Sequence, residues 1–189
     1  MSRAYRIQVS ESEERVIHVD DSLETGIQVL DVLPREEMAE LLGEELKEDG
    51  YEVEDGIATK TEDGVVTEVE LATGKLRIAV EAEEEVELTS NENGVYYDDV
   101  GPGATASREA LKKKAKAGLD QAEERAKEDL QSEITGKLEG VMGDIKGEVN
   151  KASGRATIEA LKKKAAAAGT IKEISEDKDN GSVTIVVDV

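Results

Sequence analysis

The sequence predicts an α+β fold in which an antiparallel β-sheet carries one packed helix and a long helical hairpin inserted before the last two strands. Apolar and polar residues alternate through much of residues 1–104, with turn dipeptides between the runs. Residues 105–168 contain no proline, and their apolar positions recur with a helical spacing. Near the end, Asn180-Gly181 separates two apolar runs, a pattern typical of a β-hairpin.

The beginning of the chain is predicted to form strands. Residues 5–9 and 15–20 each alternate with a period of two. The acidic stretch between them, residues 10–14, indicates a hairpin turn. Residues 26–33 are a third candidate strand by the same alternation.

Residues 34–50 predict the clearest short helix. Pro34 stands where a first-turn proline is tolerated, and acidic residues follow it at the positive end of the helix dipole. One apolar stripe consists of Met38, Leu41, Leu42 and Leu46. Gly50 is the expected C-terminal cap.

Three more strands are expected after this helix. They are residues 51–61, 64–73 and 75–89, with turn signals at Asp55-Gly56, Asp63-Gly64 and Thr73-Gly74. Residues 65–88 therefore predict a long antiparallel hairpin. Residues 91–104 are expected to form a loop because of their composition.

The stretch from 105 to 168 is predicted to be helical. Its apolar positions have a mean spacing of about 3.7 residues, and they are residues 111, 115, 119, 122, 126, 130, 134, 138, 141, 145, 149 and 152. Ser153-Gly154 suggests a turn, so we expect one helix over 105–151 and a second over 156–168, although one straight helix remains open. The predicted domains are a sheet domain, residues 1–104 plus 169–189, and a helical arm or hairpin, residues 105–168.

Four glycines in this stretch carry the candidate site. They recur at a 4-3-4 spacing, which places them on one helix face. Each costs about 1 kcal/mol relative to alanine in a helix. They indicate either a break in the helix or the close approach of another helix. The second alternative predicts a protein-contact surface made of Gly136, Gly140, Val141, Met142, Gly143, Ile145, Gly147 and Val149.

Composition excludes several classes of function. The formal net charge is −21, and an acidic surface repels nucleic acid and anionic membranes. The chain has no cysteine, and its one histidine, His18, is flanked by apolar strand residues. No apolar run reaches the length of a membrane span. We therefore expect a cytoplasmic protein that is not an enzyme, with no catalytic, cofactor-binding or metal-binding residues.

The opening resembles a known group of bacterial proteins. The resemblance covers residues 2–54 and rests on the arginine-flanked first strand, on "ERVIHVDD" and on "VLPREEMAELL". These features are similar to accessory proteins of ternary systems that combine an AAA+ ATPase, FtsH-like or MoxR-like, with a von Willebrand A domain protein. The resemblance implies an accessory role and assigns no functional residue.

Two functions follow as hypotheses. The first is a non-catalytic adaptor or scaffold of a bacterial ATPase-centred system, which contacts a protein partner through the glycine-rich helix. The alternative is a structural protein that forms homo-oligomers or filaments through its helices. Both hypotheses expect a protein partner, either another component of the system or a second copy of the chain.

Overall fold

The computed structural model describes residues 3–97, 101, 103–177 and 182–188. Its elements, in chain order, are β1 (Ala4–Gly26), α1 (Arg35–Glu48), β2 (Glu52–Glu54), β3 (Ile57–Glu62), β4 (Val65–Glu70), β5 (Lys75–Tyr97), α2 (Ala104–Ala168), β6 (Thr170–Asp177) and β7 (Ser182–Asp188). Five strands form one antiparallel sheet in the order β1-β5-β4-β3-β2, and β6 pairs only with β7. The predicted combination of an antiparallel sheet with helices is confirmed in outline.

The chain divides into two compact units, and β1, β5 and α2 contribute to both. Unit 1 contains Met1–Asp20 and Glu81–Ile134, and unit 2 contains Asp21–Val80 and Thr135–Val189. The division predicted from the sequence, residues 1–104 plus 169–189 against 105–168, stays a prediction.

Unit 1 packs two strands against one helix. Val9 of β1 and Leu111 and Ala115 of α2 form a buried cluster. Glycine permits a close approach at Gly94, where an added Cβ would lie 2.9 Å from Cδ1 of Leu111. Around this thin core, Arg15 pairs with Asp120 and Glu123 of the helix.

In unit 1, α2 and β1 run side by side and contact each other at several points along their length. Lys112 lies 3.6 Å from Glu11, and Gln131 donates to the Asp20 carbonyl at 3.3 Å. Between these contacts the helix advances about 28 Å and the strand about 30 Å, at ~1.5 Å and ~3.3 Å per residue. A helix therefore needs about two residues for every strand residue that it covers, which explains why a long strand is matched by a much longer helix.

Unit 2 has the larger core. Its fully buried side chains include Met38, Leu42 and Leu46 of α1 and Val69, Leu76 and Ile78 of the sheet. The stripe predicted for α1 is therefore confirmed. Tyr51 N–H donates to the Leu46 carbonyl and Gly50 N–H to the Lys47 carbonyl, with Gly50 at φ +89°, so Gly50 caps α1 as predicted.

The predicted turns of unit 2 are also present. β3 joins β2 through Asp55-Gly56 and β4 through Asp63-Gly64, where all four residues have positive φ. Gly74, at φ +72°, accepts a hydrogen bond from Ile27 N–H, and an added Cβ would lie 2.8 Å from the Ile27 carbonyl oxygen. The hairpin predicted over 65–88 is formed by β4 and β5, with Val65 opposite Val80.

Two predictions about the first 33 residues are wrong. Residues 10–14 do not turn, because they lie within a single strand of 23 residues. This stretch contains no glycine, asparagine or proline to favour a turn, and Ser12 Oγ lies 2.9 Å from Thr89 Oγ1 in the strand arrangement. The strand predicted over residues 26–33 is absent, since β1 ends at Gly26 and the carbonyls of Gln28 and Val32 accept hydrogen bonds from side chains of α2 instead.

The loop predicted over 91–104 is wrong in its first half. β5 continues to Tyr97, and the Tyr96 ring stacks on Tyr5 with 5.2 Å between the ring centroids. This aromatic pair stabilises the strand beyond the point where composition indicated a loop. Residues 98–100 and 102 lie outside the described part of the chain.

The predicted helical hairpin is also wrong, because α2 is one helix of 65 residues. Ser153, expected in a turn, is buried and donates a hydrogen bond from Oγ to the Gln28 carbonyl at 2.7 Å. Thr157 Oγ1 donates to the Ser153 carbonyl at 2.8 Å, so that carbonyl keeps a partner. The twelve apolar positions from 111 to 152 are all buried or half-buried, which confirms their predicted helical face.

The last two strands do not complete the main sheet. The predicted fold places the helices before the last two strands of one sheet, but β6 and β7 form a separate two-stranded sheet. Only Gly169 separates α2 from β6, so the hairpin pairs locally at the end of the helix. Its predicted turn, Asn180-Gly181, lies outside the described residues.

Candidate functional site

The predicted contact glycines all lie on the side of α2 that does not pack on the sheet. We name Gly136, Gly140, Gly143 and Gly147 the glycine face. At ~100° per residue they lie roughly opposite the buried residues Leu138 and Val149. A Cβ added at any of the four would have no neighbouring heavy atom within 4 Å in the described structure. Close packing within this chain therefore does not explain the glycines.

The four apolar residues predicted beside these glycines are placed differently. Val149 is fully buried in the core of unit 2, while Val141, Met142 and Ile145 are half-buried. Val141 and Ile145 line a groove together with residues of the sheet. The structure therefore brings two of the predicted apolar residues together at a cavity and keeps the glycines on a separate face.

A shallow hollow of about 410 Å³ includes part of the glycine face. We name it the glycine hollow; it is lined by Gly143 and Gly147, by charged residues of α2 and by Asp49, which follows α1. Arg155, one of these residues, pairs with Glu45 of α1 and with Asp49, the residue after α1. The hollow is therefore bordered partly by charges that pair within the chain, such as Arg155 and Glu148, and by two glycines without a side chain.

The groove beside it has a volume of about 270 Å³. We name it the sheet groove, and its apolar floor is formed by Val65, Val141 and Ile145. Asp144 and Glu148 line both the sheet groove and the glycine hollow. The two cavities are therefore neighbours on the same stretch of α2.

One ion pair occupies part of the sheet groove. Lys60 Nζ lies 3.0 Å from Glu148 Oε1 and 5.3 Å from the centroid of the Tyr51 ring. The hydrogen bond to Glu148 raises the pKa of Lys60. Burial, together with the charge of Glu148, raises the pKa of the Tyr51 hydroxyl. Lys60 is therefore charged and Tyr51 neutral at physiological pH, and the charge of Lys60 is balanced within the chain.

Other chemistry-bearing residues form no comparable arrangement. Nδ1 of His18 lies 4.0 Å from a Glu83 oxygen, and both side chains are largely exposed. Within the described ranges, no group of three or more His, Cys, Asp or Glu residues could hold a metal ion. No helix in the described part of the chain combines the length and apolar character needed to cross a membrane.

Sequence reasoning missed the groove residues Tyr51, Lys60, Asp144 and Glu148. Lys60 and Glu148 are 88 residues apart, and no local motif marks either of them. A charged residue in the middle of an alternating strand is the only signal, since Lys60 lies on the same face as Ala58 and Thr67. That signal is too common to select one lysine.

Comparison with known proteins gives one match. No curated protein and no solved structure matches the chain. The family model described as "FtsH ternary system domain X5" matches residues 1–189, which is the whole chain. The chain therefore belongs to the family of FtsH ternary system domain X5, and this confirms the resemblance seen in residues 2–54.

Proposed function

We propose that this chain is a non-catalytic accessory subunit of an FtsH ternary system, and that it contacts another component through the glycine face of α2. The family supports membership of such a system. The observation that carries the contact is the open space around Gly136, Gly140, Gly143 and Gly147. In this proposal the protein works in the cytoplasm and binds neither nucleic acid nor membrane.

The energetic argument starts from helix propensity. A glycine costs about 1 kcal/mol relative to alanine in a helix interior, so four cost about 4 kcal/mol. That is a large fraction of the ~5–15 kcal/mol by which folded proteins are stable. Alanine would fit at each position without a clash. No contact within the described part of the chain compensates for the low helix propensity of the four glycines. We propose that a contact with another molecule does so.

The spacing favours a helix as the bound element. Glycines at 136, 140, 143 and 147 form a continuous track along one side of α2. A track without side chains lets a second helix approach closer than the usual 8–10 Å between helix axes. Backbone and side-chain atoms of the partner would then pack directly on the backbone of α2.

Association with the AAA+ component of the system tests the proposal. We expect Gly140→Leu and Gly143→Leu each to weaken binding by at least ~2 kcal/mol, because leucine fills the track at the centre of the contact. The matched control is Glu128→Leu, an exposed position of α2 away from the glycines. Binding is measured with purified proteins, and circular dichroism checks the fold. Unchanged binding by both glycine variants would contradict the proposal.

The second candidate function is a homo-oligomer built through the same face. The glycines have the same 4-3-4 spacing from either end of the face, so two copies could pack on each other around a two-fold axis. The net charge of −21 opposes this association at low salt. Light scattering after size-exclusion chromatography, at low and high salt, tests it. A monomer at high concentration under both conditions would exclude the homo-oligomer.

A further inference from the structure

The sheet groove lies between residues of β3 and β4 and residues of α2 in unit 2. Val65 and Thr67 of β4 are almost fully buried beside it, and Val141 and Ile145 of α2 form its other wall. Its volume of about 270 Å³ is just below the range of ~300–1,000 Å³ typical of small-molecule sites. The groove therefore has room for one long side chain rather than for a large ligand.

The charges of the groove are unequal. Four carboxylates and two ammonium groups line it, which leaves a formal charge of −2, and they are Glu62, Asp63, Asp144, Glu148, Lys60 and Lys137. Both ammonium groups are engaged. Lys60 lies 3.0 Å from Glu148 and 3.4 Å from Glu62, and Lys137 Nζ donates to the Asp63 carbonyl.

Among these residues, Asp144 and Asp63 carry carboxylates without a partner in the described structure, and of the two only Asp144 also lines the glycine hollow. The Asp144 side chain is exposed and, within the described part of the chain, it forms neither an ion pair nor a hydrogen bond. It stands at the border between the sheet groove and the glycine hollow. A cation that enters the groove from the glycine face therefore meets Asp144 first.

We propose that the sheet groove receives one lysine or arginine side chain from the helix that packs on the glycine face; this inference rests on the proposed function. The aliphatic stem would lie on Val65, Val141 and Ile145, and the cationic head would bind Asp144. Long basic side chains bind in this way, with the stem on apolar surface and the charge at a polar rim. An anionic group fits less well, because Lys60 and Lys137 are already engaged.

A small-molecule titration tests the groove without the partner protein. The probe is n-butylguanidinium, which reproduces an arginine side chain, and n-butylurea is its neutral analogue. We expect saturable NMR shifts at the backbone amides of Val65, Val141 and Ile145, with affinity for the urea about tenfold lower. Equal affinity for the two compounds, shifts spread over the acidic residues of the whole chain, or no shifts would each overturn the proposal.

A pair of variants sharpens the titration. Asp144→Asn removes the unpaired carboxylate nearest the glycine face and should lower the affinity for n-butylguanidinium by about tenfold. Glu139→Gln removes one exposed carboxylate from the same helix outside the groove and should leave the affinity unchanged. An equal effect of the two variants would overturn the assignment to Asp144.

The proposal for the sheet groove and the proposal for the glycine face can be contradicted separately. Gly143 lines the glycine hollow and not the sheet groove, so Gly143→Leu should keep the n-butylguanidinium affinity of the unsubstituted chain. Loss of protein binding in Gly143→Leu supports the proposed function whatever the titration shows. Tighter binding of n-butyrate than of n-butylguanidinium overturns the basic side chain and leaves the glycine contact standing.

Discussion

The two sides of α2 in unit 2 differ in what the fold requires of them. On one side Leu138, Val149 and Ala152 are fully buried against the rest of the unit. On the other side Gly140 and Gly143 have no neighbour within 4 Å of an added Cβ. Burial explains the first set and does not explain the second. The comparison teaches that residues which the fold does not require are where an interaction surface should be sought.

The largest expected effect is on the buried side. Leu138→Ala removes a fully buried side chain and should lower the free energy of unfolding by ~2–5 kcal/mol, because it deletes apolar contacts and leaves a cavity. Urea denaturation followed by circular dichroism measures the change. A loss smaller than 1 kcal/mol would contradict the packing of α2 on the sheet.

The next effect distinguishes a packed glycine from the exposed ones. At Gly118 in unit 1, an added Cβ would overlap Ser90 Oγ and would lie 3.1 Å from Ser90 Cβ. Gly118→Ala should therefore lower the free energy of unfolding by ~1–2 kcal/mol through overpacking. Adding Ser90→Ala should recover part of the loss, because it removes the nearer atom. A Gly118→Ala variant that is more stable than the unsubstituted chain would contradict the close contact between Gly118 and Ser90.

The glycine face should respond with the opposite sign. Gly140→Ala has open space for the new Cβ and gains helix propensity, so it should raise the free energy of unfolding by about 1 kcal/mol. Urea denaturation beside Gly118→Ala gives the matched comparison within one helix. A destabilised Gly140→Ala variant would mean that the fold itself requires this glycine.

The smallest effects concern the ion pairs of two basic residues in unit 2, Arg155 and Lys75. Arg155 binds the half-buried carboxylates of Glu45 and Asp49, so Arg155→Met should cost about 1 kcal/mol. Lys75 pairs with Glu24 at 2.9 Å while both side chains are half exposed, so Lys75→Met should cost less than about 0.5 kcal/mol. Thermal unfolding at one salt concentration compares the two variants. An equal loss of stability in the two variants would contradict this ranking, because the pairs of Arg155 would then stabilise the fold no more than the exposed pair of Lys75.

Local patterns predicted much of the fold. The stripe and cap of α1, the Asp-Gly turns and the spacing of the apolar positions in α2 all depend on residues within a few positions of one another, and each is confirmed. The candidate glycines were chosen from the same kind of local pattern. Their open surroundings agree with a contact surface, but their role remains a proposal.

The sequence failed where distant contacts decide. The predicted turn at Ser153 was wrong because Ser153 Oγ binds the carbonyl of Gln28, 125 residues away. The predicted hairpin at residues 10–14 was wrong because Arg15 binds Asp120, 105 residues away, as part of a continuous strand. Contacts between residues so far apart in the sequence cannot be predicted from a local pattern. The same reason explains why the groove residues around Lys60 and Glu148 were not found.

Cysteine footprinting on the glycine face tests the central claim most directly. The chain has no cysteine, so Gly143→Cys introduces a single thiol into open space, and Glu128→Cys supplies the matched control. The rate of maleimide alkylation is measured with and without a saturating amount of the AAA+ component. Our proposal predicts that the component slows alkylation at position 143 by at least about tenfold and leaves position 128 unchanged. Equal rates at position 143 with and without the bound component would contradict it.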